Sequence, residues 1–99
     1  MTEIDKVEGI TRYIENDGFK EICSSREKNF LHVFRFTDGS RTYQISILRA
    51  LFEEFSSLRE IHAKFDSLKV TTFVRNHPGF EVIVDPRVAR LGASLRSPA

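Results

Sequence analysis

Three residues in the first half of the chain carry side chains that could form a nucleophilic site: Cys23, Glu21 and His32. A thiol becomes a strong nucleophile when a neighbouring base takes its proton, and a carboxylate can orient that base. If residues 25–28 form the loop between two antiparallel strands, Glu21 lies opposite His32 and Cys23 lies on the same face. The spacing therefore permits a Cys-His-Glu cluster.

A second interpretation makes His32 a structural residue of the core. Moving the loop by one residue places Lys20 opposite His32 in place of Glu21, so the cluster depends on the strand register. The sequence shows no oxyanion site beside it, and a core histidine would be satisfied by a hydrogen bond to Glu21 or Tyr43. We therefore predict no catalytic residue and a Cys23 thiol that reacts slowly.

The sequence contains no pattern of metal ligands or of phosphate-binding glycines. The three histidines, His32, His62 and His77, are isolated from one another and from the single cysteine, unlike the paired ligands of zinc sites. The five glycines are scattered, and each fits a turn, a cap or a helix. We predict neither a metal nor a cofactor.

The uneven distribution of basic residues along the chain suggests an alternative function, nucleic-acid binding. The net charge is only +1, but basic side chains outnumber acidic ones six to three over residues 20–49 and five to two over residues 67–99. Lys and Arg side chains neutralise phosphates when a protein binds nucleic acid. The candidate contacts combine predicted strand residues with the C-terminal segment: Arg35, Lys69, Arg75, Arg87 and Arg90.

The first element that must position these side chains is a helix over residues 3–16. Thr2 and Asp5 have the spacing of a capping box, with Asp in the place of the usual Glu. Gly18 provides the left-handed residue that commonly follows a helix, and residues 19–24 form a short strand. Apolar residues recur at helical spacing: Ile4, Val7, Ile10 and Ile14.

Alternating residues on both sides of Asp38-Gly39 predict a β-hairpin. Asp-Gly accepts the positive φ angles of a type I′ turn, which joins two strands through two residues. One face of this hairpin is then aromatic and aliphatic, because side chains alternate along each strand. The predicted pairs on that face are Phe34 with Tyr43, His32 with Ile45 and Phe30 with Ile47.

Apolar residues at helical spacing predict a second helix over residues 47–65, with a kink or restart at Ser56-Ser57. Two runs rich in β-branched and aromatic residues follow, over residues 69–75 and 80–84. They flank His77-Pro78-Gly79, a sequence typical of a type II turn. We therefore predict a second hairpin.

The C-terminal residues predict a short helix and then a tail. Asp85-Pro86 combines an N-cap with a good first helical residue, and Gly92 would end a helix containing Val88 and Leu91. We expect a flexible tail over residues 93–99.

Length and composition indicate one folded domain, over residues 1–92. The chain has 99 residues, of which 40% are hydrophobic and 29% charged. A single cysteine cannot form an intramolecular disulfide, no charged and apolar leader opens the chain, and no apolar run reaches the length of a membrane span. We predict a cytoplasmic protein.

The predicted element order, αβββαββ with an added short C-terminal helix, indicates a two-layer α+β fold. Its mainly antiparallel sheet has two helices packed on one face, which leaves the other face open. Alternation places Leu31, Val33 and Arg35 on the open face, with Gln44 on the neighbouring strand. Because such mixtures recur at interfaces, we expect a non-enzymatic interaction module, regulatory or accessory, that binds a protein partner or itself there.

Overall fold

The chain folds as an α+β protein, and the strands among its described residues form one five-stranded sheet. The computed structural model describes residues 2–27, 31–54, 56–84 and 91–95. The elements are α1 (Glu3–Asn16), β1 (Lys20–Glu27), β2 (Leu31–Thr37), β3 (Thr42–Leu48), α2 (Arg49–Glu54), α3 (Leu58–Leu68), α4 (Val70–Arg75), β4 (Phe80–Val84) and β5 (Leu91–Leu95). The strand order is β1-β2-β3-β4-β5, and every neighbouring pair is antiparallel except β3 and β4. The predicted class, the mainly antiparallel sheet and the order αβββαββ are confirmed.

Helix α1 forms as its sequence predicts. The Thr2 side chain accepts a hydrogen bond from the Asp5 backbone N–H, and the Asp5 carboxylate accepts one from the Thr2 backbone N–H, both at 3.1 Å. Gly18 follows the helix with a φ angle of 95°. Ile10 and Ile14 of the predicted apolar stripe are fully buried in the core, whereas Ile4 in the first turn is 72% exposed, so the stripe was predicted one turn too long.

The hydrophobic core lies on one face of the sheet, where the helices pack. It joins strand residues to residues of α1, α3 and α4 in one cluster. The strand members share the face that carries Phe34, and they are Phe34, Phe36, Tyr43, Ile45, Ile47, Val82 and Val84. The helix members are Ile10, Ile14, Ile61, Phe65, Val70 and Val74.

The β2–β3 turn has four residues, 38–41, where the sequence predicted two. Asp38 Oδ1 accepts hydrogen bonds from the backbone N–H groups of Ser40 and Arg41, at 2.8 and 2.9 Å, so its side chain shapes a longer loop. Each predicted partner is therefore shifted by two residues: Phe36 faces Tyr43, Phe34 faces Ile45 and His32 faces Ile47. A shift of two preserves the faces, which were predicted correctly, although the opposing pairs were wrong.

The predicted second helix is two helices, α2 and α3, because the chain restarts at Ser57. The Ser57 side chain accepts a hydrogen bond from the Glu60 backbone N–H at 3.2 Å and caps α3. The Ser56 hydroxyl and backbone N–H both donate to the Glu60 carboxylate. The alternative of a restart at this serine pair is therefore the correct one.

The predicted strand over residues 69–75 is wrong, because residues 70–75 form helix α4. Val70 and Val74 lie one helical turn apart, and both are fully buried. A parallel strand pair also needs a crossover connection that passes over the sheet, and α4 lies at the end of this connection. Contact with the core has overridden the β propensity of these side chains.

The predicted second hairpin is replaced by a different pairing of the last two strands. β4 pairs in parallel with β3 and antiparallel with β5. Leu91, which was predicted in a short helix, and Gly92, which was predicted to end it, lie in β5, and so do residues 93–95 of the predicted tail. Asp85-Pro86, Val88 and residues 96–99 lie outside the described residues.

Candidate functional site

The cysteine, histidine and glutamate of the possible nucleophilic cluster do not come together. Cys23 pairs with Arg35, whereas His32 pairs with Arg26, so Cys23 and His32 lie on opposite faces of the sheet. Glu21 lies in a β-bulge of β1 and has a φ angle of 54°. Cys23 is exposed, so the slow thiol reaction that the sequence predicted is no longer expected.

His32 belongs to the helix-covered face as a buried residue. It is 4% exposed, and its ring centroid lies 5.2 Å from that of Phe34. Burial lowers the pKa of His32, because desolvation disfavours the charged imidazolium; Arg26 and Arg49 also lower the pKa, whereas Glu3 raises it. The structure supports the interpretation of His32 as a core residue, but not the expected hydrogen bond to Glu21 or Tyr43, because the Tyr43 hydroxyl donates to Asp38 and Glu21 lies in the bulge.

The sheet face away from the helices divides into an apolar zone and a polar row. Both follow from the register of β2, β3 and β4, since alternate residues of a strand share a face. The apolar zone consists of aliphatic residues: Leu31, Val33, Leu48 and Ile83. The polar row consists of three residues side by side on neighbouring strands: Arg35, Gln44 and Glu81.

Hydrogen bonds hold the polar row in place. Gln44 Nε2 donates to Glu81 Oε2 at 2.6 Å and to Ser46 Oγ at 3.3 Å. Arg35 Nη1 donates to Ser25 Oγ on β1 at 3.4 Å. An exposed guanidinium, a buried amide and a half-buried carboxylate thus follow one another across three strands. This arrangement can orient a partner that offers charges of both signs.

The centre of this face is less accessible than the sequence indicated. Val33 is 1% exposed and Gln44 is 5% exposed, so the expectation that they lie uncovered is wrong. β2 and β3 are interior strands, and Val33 lies between Ser25 of β1 and Ser46 of β3. Of the four predicted contact residues, Arg35 is exposed, Leu31 is half-buried, and the other two are buried.

The basic residues proposed for nucleic-acid binding do not share one face among the described residues. Arg35 lies on the face away from the helices, whereas Lys69 and Arg75 lie in the helical layer, at the start and end of α4. Arg75 contacts Asp17, with 3.5 Å between Nε and Oδ2, and its guanidinium lies 4.3 Å from the centre of the Phe19 ring. Arg87 and Arg90 lie outside the described residues.

Sequence reasoning missed the contribution of β4 to this face. Glu81 and Ile83 are half-buried beside Gln44 and Ser46. The sequence interpretation paired residues 80–84 with residues 69–75 and left the strand order open, so it did not place them beside β3. A signal was present in Val82-Ile83-Val84, because an uninterrupted aliphatic run is typical of a parallel strand.

Metal-ligand clusters, membrane-spanning helices and similarity to known proteins are three further indications of function. Within the described ranges, no three His, Cys, Asp or Glu side chains are grouped so as to hold a metal ion. Among the helices described, none is long and apolar enough to cross a membrane. Comparison with protein-family models, curated proteins and solved structures finds no match to this chain.

Proposed function

We propose that this protein is a small non-enzymatic interaction module, regulatory or accessory, that binds a protein partner or a second copy of itself. The contact surface is the sheet face away from the helices. The observation that carries this proposal is the hydrogen-bonded polar row beside the apolar zone on that face. Interfaces commonly combine apolar area with polar groups that fix the orientation of the partner.

The accessible residues of this face define the chemistry of the partner. Leu31, Leu48 and Ile83 are half-buried and can lose further apolar surface on binding. Arg35 is exposed and would pair with a carboxylate, whereas Glu81 would accept a hydrogen bond from a basic or amide group. Buried Val33 and Gln44 support these residues from within the sheet.

We propose that the protein is located in the cytoplasm, and the free thiol of Cys23 supports this location. It is exposed, and the chain contains no second cysteine with which it could form a disulfide. A reducing compartment maintains such a thiol in its free form.

The experiment compares two charge reversals in binding to partners captured from cell extract. Arg35→Glu changes the polar row, and Arg59→Glu changes an exposed arginine of α3 as the matched control. We expect Arg35→Glu to weaken binding tenfold or more and Arg59→Glu to leave it unchanged, with the circular dichroism of both variants like wild type. Equal binding by all three proteins would refute the assigned surface.

Nucleic-acid binding is the alternative outcome, and its salt dependence distinguishes it. If wild type binds single-stranded nucleic acid, and Arg35→Ala and Arg75→Ala each weaken binding and flatten its salt slope, nucleic-acid binding replaces the present proposal.

A further inference from the structure

Strand β1 lies at one end of the sheet, and its charge pattern complements itself. Its outer edge faces away from β2. The strand reads Lys-Glu-Ile-Cys-Ser-Ser-Arg-Glu from Lys20 to Glu27, so a reversed copy brings a basic residue to each acidic one. An edge strand also presents backbone N–H and C=O groups that can pair with another strand.

The β-bulge of β1 determines which pairing of two copies is consistent. In an antiparallel pair, opposing residues must share a face, so a two-fold axis between identical strands passes through one residue position. The pairs Lys20–Thr37 and Cys23–Arg35 leave two β1 residues opposite one β2 residue. Lys20 therefore occupies the position that residue 21 would have in a regular strand.

With the two-fold axis at Ser24, the charged positions match. Position 27, a glutamate in the sequence, lies opposite position 20 of the second copy, because the bulge has moved Lys20 by one position. Arg26 faces the bulge of the second copy, which contains Glu21. Opposite charges directly across a strand pair are stabilising, and like charges are destabilising.

The neighbouring registers lack these matches. With the axis at Cys23, Ser25 faces Lys20 of the second copy. With the axis at Ser25, position 26 lies opposite position 24 and position 27 lies opposite position 23, so neither charge meets an opposite one. Electrostatic complementarity therefore selects the Ser24 register.

A cleft beside the bulge offers a position for Arg26 of the second copy. It lies on the helix-covered side of the β1 edge. Arg26 lies on that side, because it pairs with His32 and its Nη2 is 3.4 Å from the Glu3 carboxylate of α1. Exposed Glu15 and Glu21 offer carboxylates to an arriving guanidinium. The cleft has a volume of about 280 Å³ and is lined by Thr11, Glu15, Phe19, Lys20, Glu21 and Ile22.

We propose that two copies of this protein pair antiparallel through β1, with Ser24 at the two-fold axis, and join their sheets into one. The interface is the strand edge, so it does not depend on the function proposed for the sheet face. The axis is perpendicular to the sheet, which places the polar rows of both copies on the same side of the joined sheet.

A charge-exchange experiment tests the pairing of residues 20 and 27. In low salt, wild type should have twice the monomer mass, and Lys20→Glu or Glu27→Lys should each weaken dimerisation tenfold or more, because like charges then oppose each other. An equimolar mixture of the two variants should recover the dimer, since both pairs are again of opposite sign. A monomeric wild type, or a mixture no more dimeric than its components, overturns the proposal.

Cross-linking tests the register of the β1 pair. A comparison with Arg35→Glu then distinguishes the proposed strand-edge dimer from the proposed contact through the sheet face. Ser24→Cys in a Cys23→Ser background places two thiols opposite each other and should form a disulfide-linked dimer on mild oxidation. Wild type, whose Cys23 faces Ser25, should not. Cross-linking of wild type but not of Ser24→Cys overturns the register. Arg35→Glu should keep the dimer mass even if it loses the partner, so failure of either proposal is visible without the other.

Discussion

The two faces of the sheet both have buried residues at their centres, but these residues differ in chemical type. On the helix-covered face, Phe34 of the sheet and Phe65 of α3 are both fully buried in the cluster that joins the layers. On the other face, fully buried Ser46 lies beside Val33, and buried Gln44 is hydrogen-bonded to Glu81. The buried centre of the first face is therefore aromatic and aliphatic, whereas that of the second combines Val33 with polar side chains, of which Gln44 is hydrogen-bonded to Glu81 and Ser46.

The largest expected effect comes from removing a ring on the helix-covered face. Phe34→Ala should lower the free energy of unfolding by about 3–5 kcal/mol, because it leaves a cavity between the layers. The control is Phe73→Ala in α4, a half-buried ring stacked on His77 at 4.2 Å, and it should lower stability less. Urea unfolding measures both, and equal losses would contradict the layered core.

A charge at the centre of the other face should have the next largest effect. Val33→Glu should lower stability by at least about 2 kcal/mol at neutral pH, because Val33 is 1% exposed. Burial raises the pKa of an introduced carboxyl, so the loss relative to wild type should shrink as the pH falls and the group becomes neutral. Urea unfolding at neutral and acidic pH is the measurement, with half-buried Leu31→Glu as the control. A Val33→Glu protein as stable as wild type would show that this centre is open.

Truncation of Gln44 tests the polar row. Gln44→Ala should lower stability by about 1–2 kcal/mol, because it removes the hydrogen bonds to Glu81 and Ser46 within the face. A double-mutant cycle with Glu81→Ala isolates the pair, and exposed Thr42→Ala on the same strand is the control. Strictly additive losses would mean that Gln44 and Glu81 are not coupled.

The smallest effect concerns Asp38 in the β2–β3 turn. Its Oδ2 accepts a hydrogen bond at 2.7 Å from the hydroxyl of Tyr43, a residue of the helix-covered face. The pKa of Asp38 is lowered to about 2 by hydrogen bonds from the Arg41 N–H, the Tyr43 hydroxyl and the Ser40 N–H. A lowered pKa contributes stability that is present above the usual carboxyl pKa of 3.8 and is lost as the pH falls through about 2. Asp38→Asn should reduce the slope of stability against pH in that window. An NMR titration of wild type gives the pKa directly, and a normal value would contradict the turn geometry.

Local patterns predict those parts of the fold whose determinants are close in sequence. The Thr2–Asp5 capping box and Gly18 mark both ends of α1. The period of two in β2 and β3 gives the faces of the hairpin, but it cannot distinguish registers that differ by two residues. The Asp38 side chain, which accepts two turn N–H groups, decides between those registers.

The remaining parts of the fold depend on contacts between residues that are far apart in the sequence. The side chains of residues 70–75 favour a strand locally, and only the burial of Val70 and Val74 against the sheet shows why they form a helix. The same limit applies to the candidate site. Alternation predicts Leu31 and Arg35, whereas Glu81 reaches the polar row through a parallel pairing that local pattern does not specify.

That parallel pairing also has a consequence for the order in which the molecule opens. Within the described residues, it is the sheet connection between the antiparallel strands β1, β2 and β3 and the antiparallel pair β4 and β5, and it joins Gln44 to Glu81, 37 residues further along the chain. A contact of such long range forms late in folding, because the intervening loop must first be closed. We therefore expect amide hydrogen exchange to report two cooperative units, with protection of β4 and β5 lost at a lower free energy of opening than protection of β2 and β3.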